Sequence, residues 1–345
     1  MNASPRARTP HTLARTLFGD AVSSVVTVAI GLFLLAAAPR LFSWAVINGV
    51  WRGDGNACTG DGACWAFLRA KFRFILFGIY PPGEQWRPTV VVLLILALTL
   101  WTLPRSHWTR RTLLAWIAGI VASLLLMGGD FAGLSAVPTS AWGGLPITLL
   151  LTVLSLALGF PLATLLAIGR RSTLPVIRLL CIGFIEIVRA LPLVSMLFIA
   201  AILVPLLLPE WLTIDNLARA LVALTASAAA YLAEVLRGGL EGVHRGQAEA
   251  ARALSLSHWQ TLRLVVLPQA IRNVIPPLTN TAVVVVKNTS LVLVVGLFDL
   301  LSAGRAALSD PAWPAPYAET YLAVAFLYFV ICFGISRYSR SLERR

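Results

Sequence analysis

Four ionisable side chains lie inside otherwise apolar stretches of the chain: Glu186, Arg189, Glu234 and Lys287. A charge in the hydrocarbon of a membrane is costly, so such a side chain is expected to face a partner, a cavity or the interface. Glu186 and Arg189 are three residues apart, as are Glu234 and Arg237, and this spacing puts each pair on one helix face. The favoured interpretation is an intrahelical ion pair at each place, near the cytoplasmic end of the helix.

Lys287 is followed directly by Asn288, Thr289 and Ser290. An ammonium group at this depth could bind the carboxylate of a substrate, and the amide and hydroxyl groups could bind its other polar atoms. Lys287 could equally form a structural ion pair with Glu186 or Glu234. Both alternatives stay open at this point.

Catalytic chemistry is not indicated by any motif. A phosphate-binding loop ending in Gly-Lys-Ser/Thr is missing, so the chain does not bind ATP by that route, and a Gly-x-Ser-x-Gly motif is missing too. The histidines lack metal-ligand spacing and lie in predicted cytoplasmic segments: His11, His107, His244 and His258. We therefore predict no catalytic residue, no metal and no cofactor.

The longest hydrophilic break between apolar spans runs from about Arg237 to Arg272 and carries five arginines. It contains Glu249-Ala250-Ala251, an alanine-rich stretch of good helix propensity, and later Val265-Val266-Leu267-Pro268. A second short helix is predicted after Ser257, a suitable N-cap, with Pro268 at its end. Two short helices with a small residue at the turn suit docking into a cleft of another protein; the alternative is an amphipathic loop at the lipid surface.

The composition indicates that these residues lie in or between membrane-spanning segments. The chain has 345 residues, of which 58% are hydrophobic and 12% charged, with a net charge of +13. Soluble domains have about twice that charged fraction. The arginines stand in short clusters beside hydrophobic segments, which is the pattern that sets membrane topology, so the basic charge does not indicate nucleic acid.

We predict an all-α integral membrane protein with about eight spans, since stretches of roughly 20 apolar residues match the hydrocarbon thickness. Basic segments alternate with the segments 129–143 and 209–218, which carry no basic residue, and 302–317, which carries only Arg305; this alternation places both termini in the cytoplasm. The loop 47–88 carries five basic residues yet falls outside, as long segments can. The predicted spans are 21–43, 89–103, 112–128, 144–168, 180–208, 219–236, 274–301 and 318–336.

Two modules are predicted. Residues 1–140 hold three spans and an extracytoplasmic Gly-rich loop with Cys58 and Cys64, either joined in a disulfide or left as free thiols. Residues 65–74 alternate apolar and basic side chains, which indicates either an amphipathic surface helix or a partly ordered loop. Residues 141–345 hold five spans and all the motif-like features.

The hydrophilic break resembles the EAA loop of ABC importer permeases: Glu-Ala-Ala, three residues, Gly, nine residues, then Ile-x-Leu-Pro. Ser255 stands where that family has Gly. Further segments are similar to permeases for polar amino acids and occur in the same order: Trp142–Leu149, Phe184–Leu193, Ala230–Leu240 and Val286–Leu291. The N-terminal part, with Ala63–Ala66 and Arg69–Phe72, resembles the longer permease of general L-amino acid transporters or of glutamate/glutamine/aspartate/asparagine transporters.

The resemblance implies a five-helix core in the bacterial inner membrane, coupled to ATP hydrolysis by a separate protein. Its implied partners are two copies of an ATPase, a second permease, a periplasmic amino-acid-binding protein, the L-amino acid and the lipid bilayer. The alternative function is a secondary carrier or channel without an ATPase. The residues expected to couple to the ATPase are Gly246, Glu249, Ala250, Ala251, Leu254, Ser255, Leu267 and Pro268. Those expected along the substrate pathway are Glu186, Arg189, Tyr231, Glu234, Lys287, Asn288, Thr289 and Ser290.

Overall fold

The computed structural model describes residues 17–209 and 211–343, and these are mostly helical. Five of the arginines used for the topology prediction, Arg6, Arg8, Arg15, Arg344 and Arg345, lie outside the described residues, as does His11. The α-helices are α1 Ala21–Phe42, α2 Trp65–Phe77, α3 Trp86–Thr102, α4 Arg110–Gly128, α5 Gly144–Gly169, α6 Pro175–Ala190, α7 Leu193–Phe198, α8 Val204–Leu207, α9 Asn216–Glu241, α10 Arg245–Ala253, α11 His258–Gln260, α12 Leu267–Asn273, α13 Ile275–Asn288, α14 Leu300–Ala307 and α15 Tyr317–Glu343.

Turns of π-helix and 3₁₀-helix join or extend several of these helices. The π segments are Ser43–Ile47, Ile199–Leu203 and Thr261–Val266. The 3₁₀ segments are Gly55–Cys58, Pro82–Glu84, Arg105–His107, Thr139–Ala141 and Thr289–Val295, and a two-residue strand β1 covers Phe298–Asp299.

Eight apolar helical segments occupy the regions predicted to span the membrane. In the described residues, six helices are long and apolar enough to cross a bilayer, and the bent pair α6 with α7–α8 makes up to seven. Helix α3, in the region of the predicted span 89–103, is apolar but shorter. The class of fold is therefore that of a helical membrane protein, and the count of about eight is approximate.

The span predicted at 180–208 is broken into two helical parts. Helix α6 ends at Ala190, α7 begins at Leu193, and the chain turns by 103° between the two halves. Pro192 explains the break, because proline disfavours the α conformation of the residue before it and has no N–H to continue the ladder. Leu191 is extended accordingly, with ψ of 132°.

The span predicted at 274–301 ends earlier than expected. Helix α13 passes into the 3₁₀ segment Thr289–Val295, and Gly296 then adopts a left-handed conformation with φ of 81°. A residue without Cβ tolerates this conformation, which ends the helix. Asp299 then caps α14 by accepting hydrogen bonds from the N–H groups of Leu301 and Ser302.

The chain divides into two compact units. The larger comprises Lys71–Ser309 and Thr320–Arg345. Its most extensive contacts between helices are those of α5 with α9. One core cluster surrounds the first half of α5 and includes Ile147 and Leu224, and another surrounds its second half and includes Ala163 and Leu236. The ends of α5 and α9 that follow this second cluster carry the charged residues described below.

The smaller unit comprises the residues through Ala70 together with Asp310–Glu319. Cys58 and Cys64 are joined by a disulfide bond in a buried position. The N–H of Cys64 donates a 2.7 Å hydrogen bond to the buried carboxylate of Glu319. The Phe67 ring contacts the edge of Trp313 at 5.5 Å between centroids. The stretch predicted as an amphipathic helix or a loop is helical, since it forms most of α2; its position at a membrane surface stays a prediction, as does the module boundary at residue 140.

Candidate functional site

The segment that carries Glu249 is a short helix with both ends capped. The imidazole of His244 accepts a 3.1 Å hydrogen bond from the N–H of Gly246, at the start of α10. At its end, the N–H of Leu256 bonds to the carbonyl of Ala251 at 3.2 Å, and that of Ser255 bonds to Arg252 at 2.9 Å. This pair of bonds is a Schellman motif, which ends a helix without leaving its last carbonyls unpaired.

Ser255 occupies the left-handed position of this motif, with φ of 61°. Glycine is the usual residue there, because a Cβ in this conformation costs roughly 1–2 kcal/mol. The family that this loop resembles has Gly at this position, and Ser255 adopts the left-handed conformation in its place. The turn therefore carries a small local strain.

The second predicted helix of the hydrophilic break begins at Ser257 as expected but ends later than predicted. Ser257 is the N-cap, as predicted, in a capping box with Gln260. Pro268 was expected to end this helix, but the chain stays helical through Pro268 to Asn273. The π segment Thr261–Val266 makes this possible, because the N–H of Leu267 bonds five residues back to Leu262, in a wider turn that leaves room for a proline ring.

Helix α10 packs against the π segment Thr261–Val266, and one face of α10 stays exposed. Ala251 is buried where α10 meets the π segment. Glu249 and Ala250 are exposed on α10, and the side chain of Leu254 is 78% exposed. A shallow cleft of about 570 Å³ lies at the start of the helix, lined by Glu241, Gly242, Val243, His244, Arg245, Gly246 and Glu249. We name the surface formed by Glu249, Ala250, Leu254 and Ser255 the coupling surface; Leu267 is half-buried and Pro268 is exposed beside it.

Glu234 is the centre of an ion cluster on the membrane helices. Its carboxylate accepts hydrogen bonds from Arg237 at 2.7 and 3.0 Å and from Arg170 at 3.1 Å. The Arg189 guanidinium lies farther away, at 3.7 Å. Arg170 also binds Glu186 at 3.1 Å, and Arg237 binds Glu241 at 2.6 Å. Three helices, α5, α6 and α9, are thus tied by charge near the point where α9 leads into the coupling surface.

The cluster confirms one predicted ion pair and corrects the other. Arg237 and Glu234 pair along α9 as expected. Glu186 was expected to pair with Arg189 on α6, but it binds Arg170 instead, and Arg189 turns to Glu234 and to the ring of Tyr231. The reason is tertiary, because α6 packs with the end of α5 and with α9, which brings groups of opposite charge closer than the neighbour on the same helix.

The four consecutive polar residues 287–290 do not form one site. Lys287 and Ser290 line a cavity of about 300 Å³ with Tyr321 and Tyr328 of α15. Asn288 lines a different cavity, with Arg189 and Tyr231, and Thr289 is fully buried with its hydroxyl bonded to the carbonyl of Val286. The suggested strut between Lys287 and Glu186 or Glu234 is not formed, since the ion pairs of both carboxylates in the described part of the chain are with arginines.

Two members of the cluster were not singled out from the sequence, Arg170 and Glu241. Arg170 is the kind of residue that commonly flanks a membrane span, so its sequence position indicates topology and not pairing. The i,i+4 spacing of Arg237 and Glu241 was the one available signal.

Comparison with known proteins identifies the family of this chain. Residues 159–345 match the family of binding-protein-dependent transport system inner membrane components. The chain is 40% identical to the inner membrane amino-acid ABC transporter permease protein YhdY of Escherichia coli, over 96% of this chain and 91% of that protein. The chain belongs to the family of binding-protein-dependent transport system inner membrane components.

Two further relatives extend the likeness. The chain is 33% identical to the glutamate/glutamine/aspartate/asparagine transport system permease protein BztC of Rhodobacter capsulatus, over 96% of this chain and 92% of BztC. It also resembles a solved structure, the crystal structure of an amino acid ABC transporter with histidines, with 32% identity and a TM-score of 0.52 over 58% of this chain and 90% of that one. The chain is thus an inner membrane transport subunit and not an enzyme.

Proposed function

We propose that this chain is the permease subunit of an ATP-driven importer of polar L-amino acids. The observation that carries the proposal is the coupling surface, which lies exposed on a helix capped at both ends. The relatives YhdY and BztC, which are amino-acid permeases, support it. A binding protein delivers the amino acid from outside. A separate ATPase, acting on the inner side, drives the exchange between outward-open and inward-open states.

The coupling surface suits docking to the ATPase by its shape. Caps at both ends stabilise the backbone of α10, although it has only nine residues, so the helix that carries these side chains is formed without the partner. Small residues, among them Ala250 and Ser255, flank the exposed Leu254, so this leucine can insert into a groove on another protein. The carboxylate of Glu249 stands at the edge of the shallow cleft, where it can accept hydrogen bonds from the partner.

Movement of α10 has a direct route to the membrane helices. Only Gly242, Val243 and His244 separate α10 from the end of α9. Glu241, the last residue of α9, binds Arg237, and through Glu234 this pair reaches α5 and α6. Docking shifts the transport cycle only if the contacts of the coupling surface differ between the two states.

The full assembly in this proposal contains two ATPase copies, a second homologous permease and the binding protein. Both termini of this chain lie in the cytoplasm. The residues of the substrate pathway lie in two places, with Arg189, Tyr231 and Asn288 at one cavity and Lys287 with Ser290 at the other. Glu186 and Glu234 form ion pairs in the cluster and do not line either cavity.

The test is uptake of labelled amino acids into liposomes that contain this chain, co-expressed with the products of its neighbouring transport genes. The panel is L-glutamate, L-glutamine, L-arginine and L-leucine, with the binding protein added. Uptake that requires both ATP and the binding protein supports the importer, and the panel measures its breadth. Uptake that proceeds without ATP on an ion gradient would establish a secondary carrier and overturn the proposal.

A further inference from the structure

A basic patch lies at the turn between α3 and α4 and at the end of α15. It consists of five exposed arginines: Arg105, Arg110, Arg111, Arg337 and Arg340. None of them takes part in the ion pairs formed among residues 17–209 and 211–343. The segments 101–116 and 333–343 contain one acidic residue, Glu343. The basic patch therefore carries positive charge that these segments do not balance.

Hydrogen bonds hold the two parts of the basic patch together. The guanidinium of Arg105 donates a 2.8 Å hydrogen bond to the carbonyl of Leu342, near the end of α15. The hydroxyl of Tyr338 donates a 3.0 Å hydrogen bond to the carbonyl of Leu103, at the end of α3. The two arginines of α15 are three residues apart, on either side of Tyr338 in the sequence, so they lie within one helical turn of this contact.

Tryptophans fix the shape of the turn and indicate its depth in the membrane. The indole N–H of Trp108 donates to the carbonyl of Thr102 at 3.0 Å, and that of Trp116 donates to the Thr102 hydroxyl at 2.8 Å. The ring of Trp101 stacks on His107 at 4.5 Å between centroids. Trp101 and Trp108 are each 56% exposed. Exposed tryptophans at the end of a membrane helix lie at the level of the lipid headgroups, so the basic patch lies at that level too.

Exposed leucines continue from the basic patch along α3 and α4. Leu100 is exposed near the end of α3, and Leu113 and Leu114 are exposed in the first part of α4. Guanidinium groups beside an exposed apolar surface match the two parts of a phospholipid, the phosphate and the acyl chains. A soluble phosphate would use the guanidinium groups alone.

We infer that the basic patch binds the headgroup phosphate of an anionic phospholipid. In the proposed topology the patch faces the cytoplasm, the side on which basic pockets between membrane helices bind anionic headgroups. Arginine suits this ligand because its planar guanidinium binds phosphate through two parallel hydrogen bonds. A guanidinium has five N–H donors, so Arg105 can keep its bond to Leu342 and bind a phosphate oxygen as well. The lipid would join the α3–α4 turn to α15 and stabilise their contact.

The experiment measures lipid binding by the purified full-length chain in detergent. Phosphatidylglycerol and phosphatidylethanolamine are titrated in turn, and bound lipid is counted by native mass spectrometry while thermal unfolding reports stabilisation. Inorganic phosphate and glycerol phosphate are tested alongside, because they carry the charge without acyl chains. The patch variants are Arg110→Gln with Arg111→Gln, and Arg337→Gln with Arg340→Gln, each also made with lysine.

The matched control is Arg171→Gln with Arg178→Gln. It removes two exposed arginines at the turn between α5 and α6, so it changes the net charge by the same amount outside the basic patch. The readouts are lipid binding and unfolding, and neither depends on transport. A failure of the importer proposal would therefore leave this test unaffected.

Wild type is expected to bind phosphatidylglycerol more tightly than phosphatidylethanolamine and to be stabilised by it. An arginine near a membrane surface contributes about 1 kcal/mol to binding of anionic lipid, or about 5-fold in affinity. Each double glutamine variant should therefore bind phosphatidylglycerol roughly 25-fold more weakly, with phosphatidylethanolamine binding unchanged. The lysine variants should recover part of the affinity, since they keep the charge but not the paired hydrogen bonds. The control should keep the wild-type preference.

Four outcomes would overturn the inference. Unchanged phosphatidylglycerol binding in both patch variants would mean that the lipid does not bind at these arginines. An equal loss in the control would mean that the preference reports net charge and not a site. Equal stabilisation by glycerol phosphate would assign the patch to a soluble phosphate. A parallel loss of phosphatidylethanolamine binding would indicate a change in the fold.

Discussion

The coupling surface and the ion cluster are close in sequence but differ in whether their polar and apolar side chains have partners within the chain. On α10, the backbone groups are satisfied by caps while the side chains of Glu249 and Leu254 are left exposed. In the ion cluster, the side chains satisfy one another across three helices, and Glu234 alone meets three arginines. An exposed surface on a capped helix is suited to a partner, whereas ion pairs between helices tie those helices together.

The largest expected effect is on transport, from Glu249→Lys. The reversed charge stands at the proposed contact with the ATPase, and like-charge or unpaired groups in an interface cost several kcal/mol. ATP-dependent uptake into liposomes should fall to background while the amount of inserted protein stays normal. Asp61→Lys, the same reversal in the exposed disulfide loop, is the control and should leave uptake near wild type. Normal uptake by an inserted Glu249→Lys protein would contradict docking at this surface.

Leu254→Asp should weaken the complex with the ATPase. The side chain is 78% exposed in the chain alone, and burying a leucine contributes about 1.5–3 kcal/mol, or roughly 10- to 100-fold in affinity. The measurement is the amount of ATPase that copurifies with the tagged permease. Leu174→Asp, at a leucine that is 57% exposed outside the coupling surface, should copurify as much ATPase as wild type. Equal loss in both variants would indicate a general defect of the membrane protein.

Substitutions in the ion cluster are expected to lower the stability of the folded chain. Glu234→Gln leaves Arg170, Arg189 and Arg237 close together without their shared carboxylate, so we expect a loss of about 2 kcal/mol, less than for a fully buried ion pair. Thermal unfolding in detergent, followed by tryptophan fluorescence, measures this. Glu186→Gln should lose less than about 1 kcal/mol, since its side chain is 53% exposed and has one partner. An identical melting temperature for wild type and Glu234→Gln would mean that the cluster does not hold the helices.

The smallest expected effect is that of Ser255→Gly. Glycine relieves the left-handed strain but adds entropy to the unfolded chain, so the net gain in local stability should stay below about 1 kcal/mol. Uptake should be unchanged, and the amide of Leu256 should exchange with solvent slightly more slowly in hydrogen-exchange measurements. Ser255→Val should do the opposite, because a branched side chain is poorly tolerated at positive φ. A large loss of transport in Ser255→Gly would show that the serine hydroxyl takes part in coupling.

The features predicted well from the sequence are those that depend on neighbours along the chain. Ser257 could be recognised as an N-cap because capping depends on residues within one turn, and the structure adds the capping box with Gln260. The apolar segments were located because about 20 apolar residues carry enough hydrophobicity to mark a span by themselves. The pair Glu234–Arg237 was found because one helical turn brings the two residues together.

The predictions that failed concern residues far apart or a backbone shaped by packing. Pro192 is visible in the sequence, but the 103° turn between α6 and α7 depends on what each half packs against. Pro268 has the same chemistry and yet stays within a helical path, because the preceding π segment widens the turn. The same residue type therefore ended one helix and not the other.

The sequence by itself determined the membrane-protein class, the positions of the apolar helices and the motif of the coupling surface, since each depends on composition or on spacing within a few residues. Only the tertiary structure decided that Glu186 pairs with Arg170, that Lys287 and Asn288 line different cavities, and that Arg189 keeps a free donor beside one of them. The physical reason is that ion pairs and cavities form between helices, and the distance between two helices is set by the packing of their apolar faces and not by the charged residues themselves.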